Sequence, residues 1–144
     1  MSYHNLEDLE VYQLAESFSN DVWDIVNNWD YFAKDTIGKQ LVRSADSIGA
    51  NIAEGYGRFH YKENRNFCYF SRGSIIETKS WLKKAKIRNL ITEEQFDNLF
   101  ETLQSVHIKL NAYLKYIGKS NSAVSSQWTN EPLNKWTISI IDLH

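Results

Sequence analysis

Glu54 and Glu77 lie inside otherwise apolar or small-residue stretches, and carboxylates so placed are the first residues to test for chemistry. In a helical bundle such a pair could serve a di-iron centre, which also needs a Glu-x-x-His pair on each of two helices. None of His4, His60, His107 and His144 has a glutamate three residues before it, which argues against that site. No Cys/His cluster has zinc spacing, and neither a Gly-x-Ser-x-Gly elbow nor a phosphate-cradling glycine loop occurs. The expectation is therefore a protein that is not an enzyme, with no cofactor and no metal. The competing role for the carboxylates is structural. A buried carboxylate persists only beside a hydrogen-bonding or cationic partner, and arginine offers a planar fork for it. Arg43, Asn51, Glu54, Arg58 and Glu77 are read as an inter-helix polar network in which Glu54 or Glu77 pairs with Arg43 or Arg58. Arg43 stands three helical turns before Glu54, so the two are partners across helices or subunits rather than within one helix.

Cations supply the second set of candidates. Arg58, His60, Lys62, Arg65 and Arg72 interleave with Tyr56, Phe59, Tyr61 and Tyr69, and Lys79, Lys83, Lys84, Lys86 and Arg88 follow along the same stretch. Cations beside aromatic rings can hold a phosphate backbone while the rings stack on exposed bases. The charge along the chain is uneven: one basic and eight acidic residues up to Ile37, eleven and four from Gly38 to Leu90, four and six thereafter. The net charge of −2 conceals that asymmetry. The bland alternative is that the acidic segment simply neutralises the basic one, and the isoelectric point near 6.1 favours it.

These side chains need elements to position them. Val11, Ala15, Phe18, Val22, Ile25 and Trp29 recur at three- and four-residue steps, predicting a helix from about Asp8 to Asn28. Residues 30–35 read as a loop, with Asp35 or Thr36 as N-cap of a second helix whose stripe is Ile37, Leu41, Ala45, Ile48 and Ile52. That helix is expected to end near Gly55-Tyr56-Gly57. A third, from about Lys62 to Arg88, is expected to bury Phe67, Phe70, Ser74, Thr78, Trp81 and Ala85. Thr92 with Gln95 forms a capping box for a fourth, striped by Phe96, Leu99, Leu103, Val106, Leu110, Tyr113 and Ile117 and stopped by Gly118. Gly49 and Gly73 fall inside helices, where each costs about 1 kcal/mol relative to alanine. Either a tight helix–helix approach or a local kink would account for them. Four amphipathic helices with short connections make the fold all-α, an antiparallel up-down-up-down four-helix bundle. The bundle is placed at residues 1–118, followed by an extension at 119–144.

The extension starts with a Ser/Asn-rich stretch read as a linker and carries Trp128, Trp136, Ile138 and Ile140. Alternation around Trp136 to Ile141 suggests docking on a neighbouring subunit or partner, or else on its own bundle. No apolar run is long enough to cross a bilayer, so no membrane is expected. Cys68 is a lone cysteine read as a small buried hydrophobe, and the start of the chain lacks a signal peptide's pattern. Both fit the cytoplasm. His107 is read as a core or interface histidine.

The run Gln40-Leu41, Arg43, Ala45, Ser47-Ile48, Asn51-Ile52-Ala53-Glu54-Gly55 and Gly57-Arg58 resembles the signature of the four-helix-bundle proteins also called 23S ribosomal RNA intervening-sequence proteins. Gly73-Ser74-Ile75-Ile76-Glu77 is similar to that family's Gly-Ser-Leu-x-Glu stretch, and Leu9-Glu10-Val11-Tyr12-Gln13-Leu14-Ala15 to its opening motif. Val42 stands where arginine is common there and Gly49 where proline is, and the extension has no counterpart in its usual short members. The resemblance implies a ring-like homopentamer of bacterial origin. It also implies a distant likeness to the pentameric accessory protein of diversity-generating retroelements, which binds nucleic acid and a reverse transcriptase. Two function classes follow: a homo-oligomeric accessory protein binding RNA or DNA through the basic third helix, or a protein-interaction scaffold whose ring and extension present sites to a partner protein.

Overall fold

A computed structural model describes residues 5–129, with side chains as far as Asn121. Among the described residues the regular structure is helical throughout. Helix α1 spans Glu10–Val26 after a 3-10 turn at Leu6–Asp8. Helix α2 spans Lys39–Tyr56, α3 Tyr61–Ile87 and α4 Glu93–Thr129. The short links at residues 57–60 and 88–92 turn the chain back on itself, and the helices alternate in direction. Each helix packs on two others in the cyclic order α1, α2, α3, α4, so α1 and α3 face each other only across the diagonal. The result is the expected antiparallel four-helix bundle.

The stripes of α1, α2 and α4 build the interior. Ala15, Phe18, Ala45, Ile48, Ile52, Leu103, Val106 and Leu110 are all fully buried, while Ile25, Trp29, Phe96 and Ile117 pack at its edge. On α3 the expected stripe holds at Thr78 and Ala85 and is displaced by one residue at Phe67, Phe70, Ser74 and Trp81. Cys68, Ser71, Ile75, Thr78, Leu82 and Ala85 face inward, whereas Phe70 is 59% exposed and Phe67, Ser74 and Trp81 sit at the margin. The reason is the narrowness of the α2–α3 contact. At Gly55 a Cβ would lie 2.9 Å from the Phe67 Cβ and 3.0 Å from the Asn64 carbonyl oxygen. Small hydroxyl residues suit so close an approach and bulky rings do not. The Ser71 hydroxyl donates to the Ile48 carbonyl at 2.8 Å, and that of Thr78 to the Ser44 Oγ at 2.9 Å.

Several helix ends also differ from expectation. Asp30, not Asp35 or Thr36, caps the second helical run, its Oδ1 accepting from the Ala33 amide at 2.9 Å. The expected loop is a helical turn at Tyr31–Ala33 followed by a π-helical segment at Lys34–Gly38 that leads into α2. There Gly38 approaches the Val26 side chain so closely that a Cβ would come within 2.8 Å of its Cγ1. Helix α2 ends at Gly57 with φ −75, an ordinary helical value, so its glycines serve proximity rather than a left-handed turn. The left-handed position belongs to Asn89, φ 59, where the Leu90 amide donates to the Ala85 carbonyl at 2.9 Å in a Schellman closure of α3. The capping box is present: the Thr92 amide donates to the Gln95 Oε1 at 2.9 Å and the Gln95 amide to the Thr92 Oγ1 at 3.0 Å. Gly118 does not stop α4. It is buried, and the helix continues through the stretch read as a linker to Thr129, because nothing in that polar stretch breaks a helix already propagating.

Gly49 and Gly73 have different surroundings. The Glu16 carboxylate occupies the space a Gly49 Cβ would need, while a Cβ at Gly73 meets nothing within 4 Å. Gly55→Ala is therefore expected to destabilise the bundle by about 1–3 kcal/mol through overpacking. Gly73→Ala should stabilise it by up to about 1 kcal/mol, because only helix propensity changes. Urea unfolding of the two variants beside the parent checks both signs.

Candidate nucleic-acid interface

The cations named above do not form one surface. Arg65, Arg72, Lys79 and Lys86 are spaced seven residues apart on α3, and Lys83 falls between the last two, so these five share one flank. That flank borders α4. The Lys79 and Lys83 amino groups lie 5.6 and 5.9 Å from the centre of the Phe100 ring, and Lys86 lies 4.4 Å from that of Phe96. Lys79 also donates to the Gln104 Oε1 at 3.0 Å, and Lys86 pairs with Glu93 at 3.1 Å. Nearer the start of α3, Arg65 and Arg72 approach the Tyr69 ring from the turns before and after it, at 5.8 and 5.4 Å. Arg65 also reaches the Tyr61 ring at 5.5 Å. By helical rise the row from Arg65 to Lys86 extends about 31 Å.

The remaining cations lie elsewhere. Lys84 sits over Trp81 at 5.5 Å, on the side facing α2, and Arg88 is the exposed C-cap of α3. Lys62 is exposed in the first turn, and Arg58 lies over the Phe67 ring at 5.1 Å at the α2–α3 turn. Lys83, Lys84 and Arg88 take part in none of the ion pairs found among the described residues. Burial, and then the neighbouring Lys83, pushes the Lys79 ammonium below lysine's ordinary range.

The acidic segment does not cancel this charge. Four of its eight carboxylates lie on α1, diagonally opposite α3, and Asp35 pairs with Lys39 at 3.8 Å at the start of α2. The α1 carboxylate that finds a cation among the described residues is Glu10, which pairs at 3.0 Å with Lys109 of α4.

The five residues of the polar network fall into two groups and a bystander. Arg43 donates to Glu77 Oε2 at 2.8 Å and to Gln40 Oε1 at 2.9 Å, and the Trp81 indole donates to the same Glu77 oxygen at 3.0 Å, tying α2 to α3. Arg58 pairs with Glu54 at 2.8 Å one turn along the chain. Asn51 donates instead to the Ser47 carbonyl of its own helix at 2.8 Å. Neither carboxylate is buried: Glu77 is 38% exposed and Glu54 56%, so each ion pair contributes at most about 1 kcal/mol. Among the described residues no three His, Cys, Asp or Glu side chains converge as a metal site would require. Of the residues proposed for docking, Trp136, Ile138 and Ile140 lie outside the described residues, as does the side chain of Trp128. Burial pushes the Cys68 thiol up to about 12, which leaves it without nucleophilic character at neutral pH.

Two features have no precedent in the sequence reading. Between α1 and α2 the Glu16 and Asp46 carboxylates share one neighbourhood. Burial, and then the Asp46 charge, raises Glu16; burial raises Asp46, partly offset by a hydrogen bond from Ser19. The signal was present in Gly49, whose missing side chain makes room for Glu16. The second is an apolar cleft of about 340 Å³ lined by Trp23, Val26, Gly38 and Val42 and rimmed by Lys34, Lys39 and Arg43. Trp23, one position past the buried Val22, is 57% exposed at its mouth.

The sequence profile of the family described as 23S rRNA-intervening sequence protein matches residues 7–112. Among solved structures, the chain resembles a protein of unknown function from the S23 ribosomal protein family of Bacteroides thetaiotaomicron VPI-5482, with a TM-score of 0.66 and 23% identity over 73% of this chain and 98% of that one. No curated protein matches it. Among the described residues no helix is long and apolar enough to cross a membrane.

Because the raised carboxyls favour the folded chain when protonated, their contribution to stability is complete below the ordinary carboxylate range. It is lost as the pH rises through their elevated values. Asp46→Asn is expected to raise the melting temperature at neutral pH and to flatten its decline between mildly acidic and neutral conditions. Thermal melts of parent and variant across that range measure both.

Proposed function

The chain belongs to the 23S rRNA-intervening sequence protein family, and on that premise we propose that it is a non-enzymatic, self-assembling accessory protein that binds RNA or DNA through the cation row of α3. It works in the cytoplasm as a homo-oligomer of five copies, the number its family resemblance implies. The observation that carries this reading is the diagonal separation of charge. With the acidic helix at the opposite corner of the bundle, Lys86 of the row is paired with Glu93 while Lys79 and Lys83 stay outside the ion pairs found among the described residues, and a polyanion is their natural complement. Lys79, lowered by burial and then by Lys83, supports it further, since an arriving phosphate would favour its charged form. Assembly would repeat the row by rotation, so modest contacts on each copy would add through avidity. Exposed Phe59, Phe70, Ile76 and Ile108 leave apolar surface for contacts between copies.

The second reading, a scaffold for a partner protein, has one observation in its favour: the cleft at Trp23, apolar within and cationic at the rim. It suits an acidic segment with a bulky apolar anchor.

Titration of a structured RNA and of a single-stranded DNA at low and moderate salt separates the two. The proposed function predicts binding at low salt that weakens steeply as salt rises. Charge reversal of Lys79 and Lys83 together should weaken it at least about tenfold, each phosphate contact being charge-driven. Absence of binding at low salt would remove the nucleic-acid reading and leave the scaffold. Light scattering on the same sample reports the number of copies.

A further inference from the structure

Sequence alone suggested that the aromatic residues among the cations could stack on bases, and the structure places those rings differently. A base stacks on a protein ring only where a ring face is open to it. Along the α3 row the rings are engaged by the protein's own cations. Tyr69 is approached by Arg65 and Arg72, Tyr61 by Arg65, Phe100 by Lys79 and Lys83, and Phe96 by Lys86. Phe96 and Phe100 are moreover stacked on each other, centroids 5.2 Å apart. All four rings are partly buried. Admitting a base would mean displacing a cation from its ring, and so removing the group that contacts phosphate.

We infer that the α3 row recognises the sugar–phosphate backbone of a nucleic acid and not its bases. This rests on the nucleic-acid reading above and narrows it to a ligand class: a regular phosphodiester polyanion, bound without regard to base identity. The rings serve as platforms beneath the cations. At roughly 10.5 Å between heptad positions, the row offers charges at intervals along a rod rather than a pocket shaped for one base. The exposed rings Phe59 and Phe70 are the rival platform. Phe70, two positions before Arg72, points away from the row, and Phe59 is 95% exposed in the α2–α3 turn.

Fluorescence anisotropy with the full chain and three labelled probes of equal length tests the assignment: a thymidine single strand, an abasic phosphodiester strand and a mixed-sequence duplex. Even one stacked base is worth roughly fivefold in affinity. The expected result is that the abasic strand binds within about fivefold of the thymidine strand, with parallel salt slopes. Lys79→Gln with Lys83→Gln should weaken both strands to the same degree, and the duplex with them. An abasic strand weaker by more than about fivefold overturns the inference while leaving nucleic-acid binding in place. If Phe59→Ala with Phe70→Ala then abolishes that difference, the bases are read at the α2–α3 turn instead. Failure of every probe at low salt overturns the functional reading itself.

Discussion

The close contact between α2 and α3 governs the rest of the molecule. Gly55 lets the two backbones meet beside Asn64 and Phe67, and the hydroxyls of Ser44, Ser71 and Thr78 line the seam. A buried hydroxyl is tolerated only when hydrogen-bonded, and each of these has a partner: Ser71 on the Ile48 carbonyl, Thr78 on Ser44, and Ser44 on the Leu41 carbonyl at 3.2 Å. That seam sets the rotation of α3 about its own axis. Small residues line the α2 side, so Phe70 turns outward, Phe67 and Trp81 sit at the margin, and the heptad of Arg65, Arg72, Lys79 and Lys86 comes to lie beside α4. A rotation by one residue, about 100°, would have carried that row away from α4 as a unit and turned the rings inward instead.

Electrostatics follows from the same placement. Neighbouring helices in this bundle have opportunities to neutralise one another, as Glu10 and Lys109 do between α1 and α4 and Arg43 and Glu77 between α2 and α3. Helices α1 and α3 are diagonal and no ion pair joins them among the described residues, so the bundle carries an acidic corner and a basic one. A nearly neutral total is thus compatible with a strong local field. That is why the isoelectric point says little about the partner of a small domain whose charges are segregated. Burial, and then the nearness of a like charge, lowers Lys79 beside Lys83 and raises Glu16 beside Asp46.

The two carboxylates that first attracted attention, Glu54 and Glu77, have less dramatic surroundings than their apolar sequence neighbours suggested. Each accepts from an arginine, but at the surface. Gly55 and Thr78 beside them are buried while they are not, because a helix turns successive residues through 100°, and a flanking residue says nothing of the one next to it. Glu77, with Trp81 and Arg43, clasps the outer side of the α2–α3 seam. The carboxylates raised by burial are instead Glu16 and Asp46, which the sequence presents as ordinary polar positions.

What the sequence determined by itself is the four long helices, the spans of α1 and α3, the inward stripes of α1, α2 and α4, the capping box at Thr92 and Gln95, and the family to which the bundle belongs. These are legible because period and capping chemistry are local, decided within one or two turns of helix. Tertiary structure alone decided the phase of α3, which carries apolar or aromatic residues on more than one face and is settled only by how near α2 can come. It decided the continuation of α4 past Gly118, since a glycine ends a helix only when the surrounding structure lets the chain leave. It also decided the division of nine cations into one row and its outliers, and the pairing of each ring in that row with a charge, because those depend on which faces of two separate helices are brought together.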